Sequence, residues 1–259
     1  MILTVDMGNT HIEIGAFEDD EMLFSERMAT DLNKTSLEYA VLIHAIFEIL
    51  HMDRSKVTGA IISSVVPPLT DIMKKAVKKV TGIEALIVGP GVKNGLKIAI
   101  DDPKQLGADL VVGAVGAIRE YGAPLIVIDM GTATTMSVID DKKTFRGGPL
   151  LPGMRTASDA LASGASLLPK ISFRAPEKVI GTNTMDCMQG GAIYGQAAQI
   201  DGLIDRIEDE LGMKTTHVAT GGLSGIVIPH CRHEIIFDSE LMLKGLKVIY
   251  AMNLDKKKK

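Results

Sequence analysis

The strongest constraint on this chain is a local pattern that occurs twice. The stretches ILTVDMGNTHIEIGAF and LIVIDMGTATTMSVID each consist of an apolar strand ending in Asp-Met-Gly, a turn of small polar residues and a second strand. The two aspartates are Asp6 and Asp129, so each half of the chain begins with one copy. Alternating strand and helix patterns follow both copies. This organisation predicts a duplicated α/β protein.

The positions of the two copies predict two domains, residues 1–118 and 119–259. A chain of 259 residues is long enough for two modest domains, each with its own core. The last helical segment, ELMLKGLKVIYAMN, is a candidate to pack back on the first domain. A cleft between two such domains is a natural site for a ligand.

Composition narrows the class of partner. The net charge of −4 argues against nucleic acid or an anionic membrane as the main partner, and no apolar run approaches membrane-spanning length. The N-terminus reaches Asp6 before a signal-peptide core could form. The two cysteines are far apart in the sequence and suggest no disulfide framework. We therefore expect a cytoplasmic protein.

The repeated turns have the residue types of phosphate-binding loops. A glycine two residues after each aspartate permits a tight turn that exposes backbone N–H groups, and small polar residues follow: Asn9 and Thr10 in one copy, Thr132, Thr134 and Thr135 in the other. Such groups bind anionic oxygens, and a carboxylate at the strand end can hold a cation. The alternative is a plain hairpin turn, which two copies in the same context disfavour. We expect the loops to hold a polyphosphate from two sides.

Several smaller signals have competing interpretations. The turn ATGGLSG follows a strand, so its paired glycines could let adenine or ribose approach the backbone, or could simply connect two elements. Gly113 and Gly116 are expected to mark close helix packing. The residues His230, Cys231 and His233 are expected to form a loop rather than a metal site. The terminal KKKK is expected to be solvated.

The motifs together resemble one family. DMGNT, SSVVP, GADL, DMGTATT, GGPLLPG, GTNT, MQGGAIYG, ATGGL and LMLKGL follow the order and approximate spacing of the type III pantothenate kinases, within the superfamily of actin-like ATPases and sugar kinases. The resemblance runs from Met1 to about Asn253, and it is the combination of motifs that is specific. It implies duplicated actin-like (ribonuclease H-like) domains with a nucleotide cleft between them.

The resemblance also implies an activity, which is ATP-dependent phosphorylation of pantothenate to 4'-phosphopantothenate, the first step of coenzyme A biosynthesis. It implies a homodimer that needs Mg²⁺ and a monovalent cation, K⁺ or NH₄⁺. For ATP it implies the following residues: Asp6, Met7, Gly8, Asn9, Thr10, His11, Ile12, Glu13 and Thr132. For pantothenate it implies Gly107, Ala108, Asp109, Leu110 and Thr184, with Asp109 as the proton acceptor. Asp129 matches the monovalent-cation ligand, and Asp6 is a candidate for Mg²⁺.

The chemistry of these residues agrees with the implied roles. Phosphoryl transfer depends on positioning, on charge stabilisation and on one carboxylate near the attacking hydroxyl. Asp109 is expected in the first turn of a helix, where the dipole would keep it ionised. Without the resemblance, Asp109 would be interpreted as a helix-cap acid. Asn183 and Thr184 are the candidate N-caps of the longest helix, and a helix start can also bind a carboxylate such as that of pantothenate.

The chain departs from the family at one site position, where Leu110 follows Asp109 in place of the family's usual arginine. Leucine cannot donate a charged, forked hydrogen bond to a carboxylate. Three readings are therefore open: a weak pantothenate kinase, a kinase for a related alcohol, or a nucleotide-binding regulatory homologue. The possible substitutes for the arginine are Lys104, Arg155 and Arg174. A regulator that acts on DNA would need a helix with a basic face, and the sequence contains no such helix, so we favour a kinase.

Overall fold

The computed structural model describes residues 1–254, so the C-terminal lysine tail lies outside the described residues. The strands are β1 (Ile2–Met7), β2 (His11–Glu18), β3 (Glu21–Ala29), β4 (Gly59–Ser64), β5 (Leu86–Ile87), β6 (Lys97–Ile98), β7 (Leu125–Met130), β8 (Ala133–Ile139), β9 (Thr144–Gly147), β10 (Leu150–Pro152), β11 (Thr216–Thr220) and β12 (Ile236–Phe237). The helices are α1 (Ser36–Ile49), α2 (Pro67–Thr81), α3 (Ala108–Tyr121), α4 (Met154–Gly164), α5 (Thr184–Leu211), α6 (Ser224–Val227) and α7 (Leu241–Asn253). No described helix is both long and apolar enough to cross a membrane.

The predicted duplication is confirmed by strand order. The first sheet has the order β3-β2-β1-β4-β5, and the second contains the order β9-β8-β7-β11-β12. In both sheets the strand that ends in Asp-Met pairs antiparallel with the strand after it and parallel with a later strand. Thus β1 corresponds to β7, β2 to β8 and β4 to β11. The second sheet is extended by β6, which pairs with β9, and by β10, which pairs with β8.

The described residues divide into two compact units. The first contains residues 1–96, 102–119 and 240–254, and the second contains residues 97–101 and 120–239. In this division α7 belongs to the first unit, where it packs on β1, β2 and β4. The first unit is therefore built from three separate stretches of the chain.

The first sheet has an apolar cluster on each face. Alternate residues of β1, including Leu3 and Val5, pack in the cluster that contains buried residues of α1 and α2. Ile61 of β4 faces the other way and packs with Val111 and Val112 of α3 and with buried residues of α7. Because side chains alternate along a strand, Asp6 and Ser63 lie on the α3–α7 face.

Local sequence signals account for the helix ends. Thr35 and Glu38 form a capping box at the start of α1. Pro67 and Pro68 form the first turn of α2, where proline removes no helical hydrogen bond because the first backbone N–H groups of a helix have no partner within it. In the following stretch EALIVG only Leu86 and Ile87 pair with β4.

Glycines let α3 and α7 approach closely. A Cβ at Gly116 would lie 2.7 Å from the carbonyl oxygen of Leu241, and a Cβ at Gly245 would overlap the carbonyl oxygen of Val112. The predicted packing role of Gly116 is therefore confirmed. Because both obstructing atoms belong to the backbone, a side-chain rotation cannot relieve the overlap.

A buried carboxylate in the second unit is held by several donors. Glu208, near the end of α5, is 5% exposed and accepts hydrogen bonds from Lys214 Nζ (2.7 Å), Thr215 N (2.8 Å) and Thr215 Oγ1 (3.0 Å). His217 Nε2 lies 3.2 Å from the same carboxylate. Burial alone raises the pKa of Glu208, but the hydrogen bonds outweigh it and lower the pKa to about 2 from 4.5.

This depressed pKa predicts an acid-sensitive contribution to stability. The carboxylate of Glu208 stabilises the fold fully above about pH 4.5, and the contribution is lost as the pH falls toward 2. A shift of this size corresponds to about 3 kcal/mol. Glu208→Gln should lower the free energy of unfolding at pH 7 by a similar amount and flatten its pH dependence below pH 5, as measured by urea unfolding. Glu210→Gln, at an exposed position of the same helix, should stay within about 0.5 kcal/mol of wild type. Equal pH profiles for wild type and Glu208→Gln would contradict the prediction.

Candidate functional site

The first Asp-Met-Gly turn joins β1 to β2 and is held from the side by Thr30. Gly8 N donates to the carbonyl of His11 (3.0 Å), which closes the turn. Thr30 Oγ1 donates to the carbonyl of Gly8 (2.7 Å), and Thr30 N donates to the carbonyl of Thr10 (3.0 Å). Asn9 and Thr10 are exposed at the tip. Sequence reasoning did not identify Thr30, because only strand pairing brings it to the turn.

Of the nine residues that the resemblance assigns to ATP, the eight at the first turn, residues 6–13, do not all offer a side chain to a ligand. Met7 and Ile12 are buried in the cluster under α1 and α2, so they can offer a ligand only backbone atoms. Asp6 and Glu13 face the opposite side of the sheet, in register with each other across β1 and β2. The polar side chains available at this loop are therefore those of Asp6, Asn9, Thr10, His11 and Glu13.

Strand register assembles a polar row around Asp6. Asp6 pairs with Glu13 on β2 and with Ser63 on β4, and Glu13 pairs with Arg27 on β3. We call Arg27, Glu13, Asp6 and Ser63 the Asp6 row. Arg27 Nη2 donates to Glu13 Oε1. Two carboxylates in opposed cross-strand positions repel each other, and the Arg27 guanidinium offsets the charge of Glu13.

The second Asp-Met-Gly turn joins β7 to β8 and is supported by the start of α4. Gly131 N donates to the carbonyl of Ala133 (3.0 Å). The carbonyl of Thr132 accepts from Gly153 N (3.2 Å) and from Thr156 Oγ1 (2.8 Å). A Cβ at Gly153 would overlap the backbone of the turn, so this position requires glycine. The side chain of Thr132 is left exposed at the tip.

Two hydroxyl residues neighbour Asp129 across the strands of the second sheet. Thr135 on β8 and Thr220 on β11 are in register with Asp129. Thr135 Oγ1 is buried and has no hydrogen-bond partner among the described residues. Gly221 has φ +93°, and a Cβ there would lie 2.7 Å from Asp129 Oδ1. Gly221 is therefore needed for the close approach to Asp129, a role that the adenosine interpretation of this turn did not include.

Asp109 lies in the first turn of α3, as predicted, and its carboxylate folds back on the helix start. Asp109 Oδ1 accepts from Leu110 N (2.8 Å). Burial raises the pKa of Asp109 above its ordinary value, against the lowering effect of hydrogen bonds from the backbone N–H groups of Leu110 and Asp109. The expectation that the helix dipole keeps Asp109 ionised omitted this burial. A Cβ at Gly107 would collide with Asp109 Oδ1, so Gly107 leaves room for the carboxylate.

The start of α3 lies on the face of the first sheet that carries the Asp6 row. Val111 and Val112, two and three residues after Asp109, pack with Ile61, which lies two residues before Ser63 on β4. The first unit thus brings one loop aspartate and the candidate proton acceptor to the same side of one sheet.

Thr184 is the first residue of α5, and the N-cap is Asn183, whose Oδ1 accepts from Asp186 N (2.9 Å). Of the two candidate N-caps, Asn183 is confirmed and Thr184 is not, so the exposed hydroxyl of Thr184 is not needed to cap the helix. A cavity of about 830 Å³ lies beside it, between α4 and α5. The cavity is lined mainly by apolar or small residues: Pro152, Met154, Ala157, Leu161, Leu168, Ile171, Cys187, Met188, Gly191 and Ala192. The polar residues in its lining are Ser158, Thr182, Asn183, Thr184, Gln196 and Gln199.

The segment with His230, Cys231 and His233 makes structural contacts. His233 Nε2 lies 3.0 Å from Asp205 Oδ1, and His230 stacks edge-on against Tyr194. Burial raises the pKa of the Cys231 thiol to about 12. Within residues 1–254 no group of three or more histidine, cysteine, aspartate or glutamate residues is arranged to hold a metal ion.

The family model and the similar proteins found by comparison indicate the same family. The model of the family described as type III pantothenate kinase matches residues 2–206. A type III pantothenate kinase of Brevibacillus brevis is 42% identical over 253 residues, which cover 98% of this chain and 99% of the relative. The type III pantothenate kinase of Halalkalibacterium halodurans is 41% identical over 254 residues, with coverage of 98% and 100%.

Solved structures of lower identity share the fold. A conserved Baf family protein from Campylobacter jejuni has a TM-score of 0.61 at 20% identity and covers 98% of this chain and 99% of that one. Component A of (R)-2-hydroxyglutaryl-CoA dehydratase from Acidaminococcus fermentans has a TM-score of 0.55 at 16% identity, with coverage of 99% and 98%. The predicted actin-like fold, with two sheets of related topology, is confirmed.

Proposed function

The chain belongs to the type III pantothenate kinase family, and from this premise we infer how its own residues perform the family's reaction. The reaction transfers the γ-phosphoryl group of ATP to the primary hydroxyl of pantothenate, which begins coenzyme A biosynthesis. The relatives cover nearly the whole chain and each carries the name of this kinase. A regulatory homologue and a kinase for another small alcohol are therefore not favoured.

The observation that carries the catalytic assignment is the position of Asp109 on the sheet face of the Asp6 row. We propose that Asp109 accepts the proton of the pantothenate hydroxyl. The hydroxyl oxygen forms a bond to the γ-phosphorus, the bond from that phosphorus to the bridging oxygen breaks, and ADP leaves. Burial makes the carboxylate a stronger base than an exposed aspartate, which suits this role. Gly107 keeps the space that the carboxylate occupies.

The two turns are proposed to bind the phosphates of ATP. In the first, residues 6–13 supply backbone N–H groups and the exposed side chains of Asn9 and Thr10, and in the second Thr132 supplies a further contact. The donor set at the first turn fits Mg²⁺, because Asp6 and Glu13 are carboxylates in adjacent strand positions. Mg²⁺ held there would neutralise phosphate charge as the phosphoryl group is transferred.

A monovalent cation, K⁺ or NH₄⁺, is proposed to bind at Asp129. The buried and unpartnered Thr135 hydroxyl beside Asp129 is the orphan oxygen that such an ion would satisfy. The carboxylate and hydroxyl oxygens available there, including that of Thr220, are hard ligands that suit an alkali cation. The ion would supply fixed positive charge near the second turn.

Pantothenate is proposed to contact residues 107–110 and Thr184. The start of α5 offers backbone N–H groups and the Thr184 hydroxyl to the pantothenate carboxylate. Leu110 is partly exposed beside Asp109 and can offer only an apolar contact. Leu110 therefore supplies no charged donor to the carboxylate, and Lys104, Arg155 and Arg174 stay the candidate substitutes.

Two further proposals concern the assembly and the location of the protein. We propose a homodimer in which a second copy covers the apolar cavity between α4 and α5, with isologous contacts. Leu161 and Leu167 are large apolar residues exposed at or near this surface, at 50% and 89%. If this proposal is correct, the protein in solution has twice the mass of one chain. A cytoplasmic location is supported by the two free thiols, Cys187 and Cys231.

The function is tested with purified protein, ATP, MgCl₂, KCl and pantothenate, with phosphopantothenate measured by mass spectrometry. Phosphopantothenate should accumulate in step with ADP. Replacing K⁺ by Na⁺ tests the monovalent-cation proposal in the same assay, since Na⁺ should support a lower rate. ADP formation without phosphopantothenate, or no product at saturating pantothenate, would refute the proposed reaction for this chain.

Leu110→Arg is expected to lower the KM for pantothenate about tenfold or more. A guanidinium beside Asp109 would pair with the pantothenate carboxylate through two charged hydrogen bonds. Pantothenyl alcohol, which lacks the carboxylate, is the control substrate, and its KM should not fall. A lower KM for both compounds would show that the arginine acts by other means, and an unchanged KM for pantothenate would exclude the carboxylate from this position.

A further inference from the structure

Ser63 of β4 has a buried hydroxyl that the fold itself does not use. The residue is 0% exposed, and Ser63 Oγ has no hydrogen-bond partner among the described residues. A buried hydroxyl without a partner is unfavourable, because the hydrogen bonds that it makes to water in the unfolded chain are not replaced. The preceding residues of β4, Ile61 and Ile62, are buried and apolar, as expected for this central strand. Packing therefore does not explain why a hydroxyl is present at Ser63.

Strand register identifies the group that this hydroxyl can serve. Asp6 and Ser63 are direct partners in the parallel pairing of β1 and β4, so their side chains share one face of the sheet. Ile61, two residues before Ser63 on β4, packs on this face with α3. Since solvent does not reach Ser63, its hydroxyl can bond only to a neighbouring protein group or to a bound ligand. The Asp6 carboxylate is the polar group in the adjacent position.

We propose that Ser63 is a positioning residue, whose hydroxyl donates a hydrogen bond to the Asp6 carboxylate when ATP and its cation are bound. This inference rests on the proposed function of the first turn. A hydrogen bond to one carboxylate oxygen fixes the side-chain rotamer and leaves the other oxygen directed at the cation. Groups that orient the ligands of a metal in this way commonly change affinity or activity about 10–100-fold.

The duplication of the fold supports the assignment independently. In the second unit, Thr220 on β11 occupies the position of Ser63, since β11 corresponds to β4 and Thr220 is in register with Asp129. Thr220 is also almost fully buried, at 2% exposure. Both units therefore place a buried hydroxyl residue beside the loop aspartate, on the parallel neighbour of its strand.

The next residue shows what a structural serine looks like in the same strand. Ser64 Oγ accepts from Val66 N (3.1 Å) and from Thr70 Oγ1 (2.9 Å), so it ties the end of β4 to the start of α2. Ser63 has no such contact. The pair therefore offers a matched control, with adjacent serines that have opposite expected effects on stability and ligand binding.

The test combines thermal unfolding with titration of a non-hydrolysable ATP analogue in the presence and absence of Mg²⁺. Ser63→Ala should keep or raise the Tm, because it removes an unsatisfied hydroxyl, and it should weaken Mg²⁺-dependent analogue binding about tenfold or more. Ser63→Thr should retain most of that binding, since it keeps the hydroxyl as in Thr220. Ser64→Ala should lower the Tm and leave analogue binding unchanged.

The outcomes separate this inference from the proposed function. Ser63→Ala with a lower Tm and normal analogue binding would make the hydroxyl structural and overturn the proposal, as would a variant that equals wild type in both measurements. Wild type that binds the analogue but forms no phosphopantothenate would refute the proposed reaction alone. Wild type that binds no nucleotide would overturn both.

Discussion

Asp109→Asn is expected to reduce kcat for phosphopantothenate formation about 10²–10⁴-fold, the usual contribution of a general base. Asparagine has the size of aspartate, and its side-chain oxygen can still accept from Leu110 N, as Asp109 Oδ1 does. The start of α3 and its packing on Ile61 should therefore be preserved. Only the capacity to take a proton is lost, so binding of the ATP analogue should change little. Steady-state kinetics and analogue titration measure the two effects.

The pH dependence provides a second signature of the same residue. The base acts in its ionised form, so the rate should rise with pH through the pKa of Asp109. Because burial raises this pKa, the rise should occur at higher pH than for an ordinary aspartate. The residual rate of the Asn variant should not show this rise with pH. An Asn variant that keeps wild-type kcat would remove Asp109 from the mechanism.

Stability distinguishes lost chemistry from lost structure. A folded-state pKa that is raised above the unfolded value stabilises the protein at low pH, and this contribution disappears as the pH rises through the folded pKa. At neutral pH, therefore, the buried charge of Asp109 gives no stabilisation. Asp109→Asn should be as stable as wild type, or more stable, at pH 7. A marked loss of stability would instead indicate a helix-cap role.

Gly245→Ala is expected to lower the free energy of unfolding by about 3 kcal/mol, at the upper end for an overpacked core. The added methyl group would overlap the carbonyl oxygen of Val112 and lie 3.0 Å from a side-chain carbon of the same residue. To relieve the overlap, α7 must move away from α3. The movement would disturb the helix that carries Asp109, so kcat should fall as well.

The matched control is the same substitution in a helix where space is open. A Cβ at Gly195, inside α5, would meet no atom within 4 Å. Gly195→Ala should therefore raise stability by about 0.5–1 kcal/mol, because alanine loses less backbone entropy than glycine in a helix. Urea unfolding of both variants measures the contrast. Two shifts of the same sign would show that helix propensity, rather than α3–α7 contact, decides the result.

Local patterns in the sequence were sufficient to predict the repeat and those elements that short-range signals define. The two Asp-Met-Gly turns, the Thr35–Glu38 capping box and the helix that begins beside Asp109 depend on residues within a few positions of one another. Such short-range interactions do not depend on the rest of the fold. The family resemblance made it possible to predict the reaction, because the combination of short motifs is specific to one family whereas any single motif is not.

Tertiary structure alone decided what surrounds each of these residues. The Asp6 row joins positions 6, 13, 27 and 63 through strand register, and no spacing in the sequence reveals that register. The pKa of Asp109 is raised, against the expectation from its helix position, because the carboxylate is buried in the folded chain. Gly221 is explained by its contact with Asp129, far away in the chain. Register and burial arise from long-range pairing, so the sequence by itself determined the turns and the chemistry they offer, whereas folding determined which groups meet.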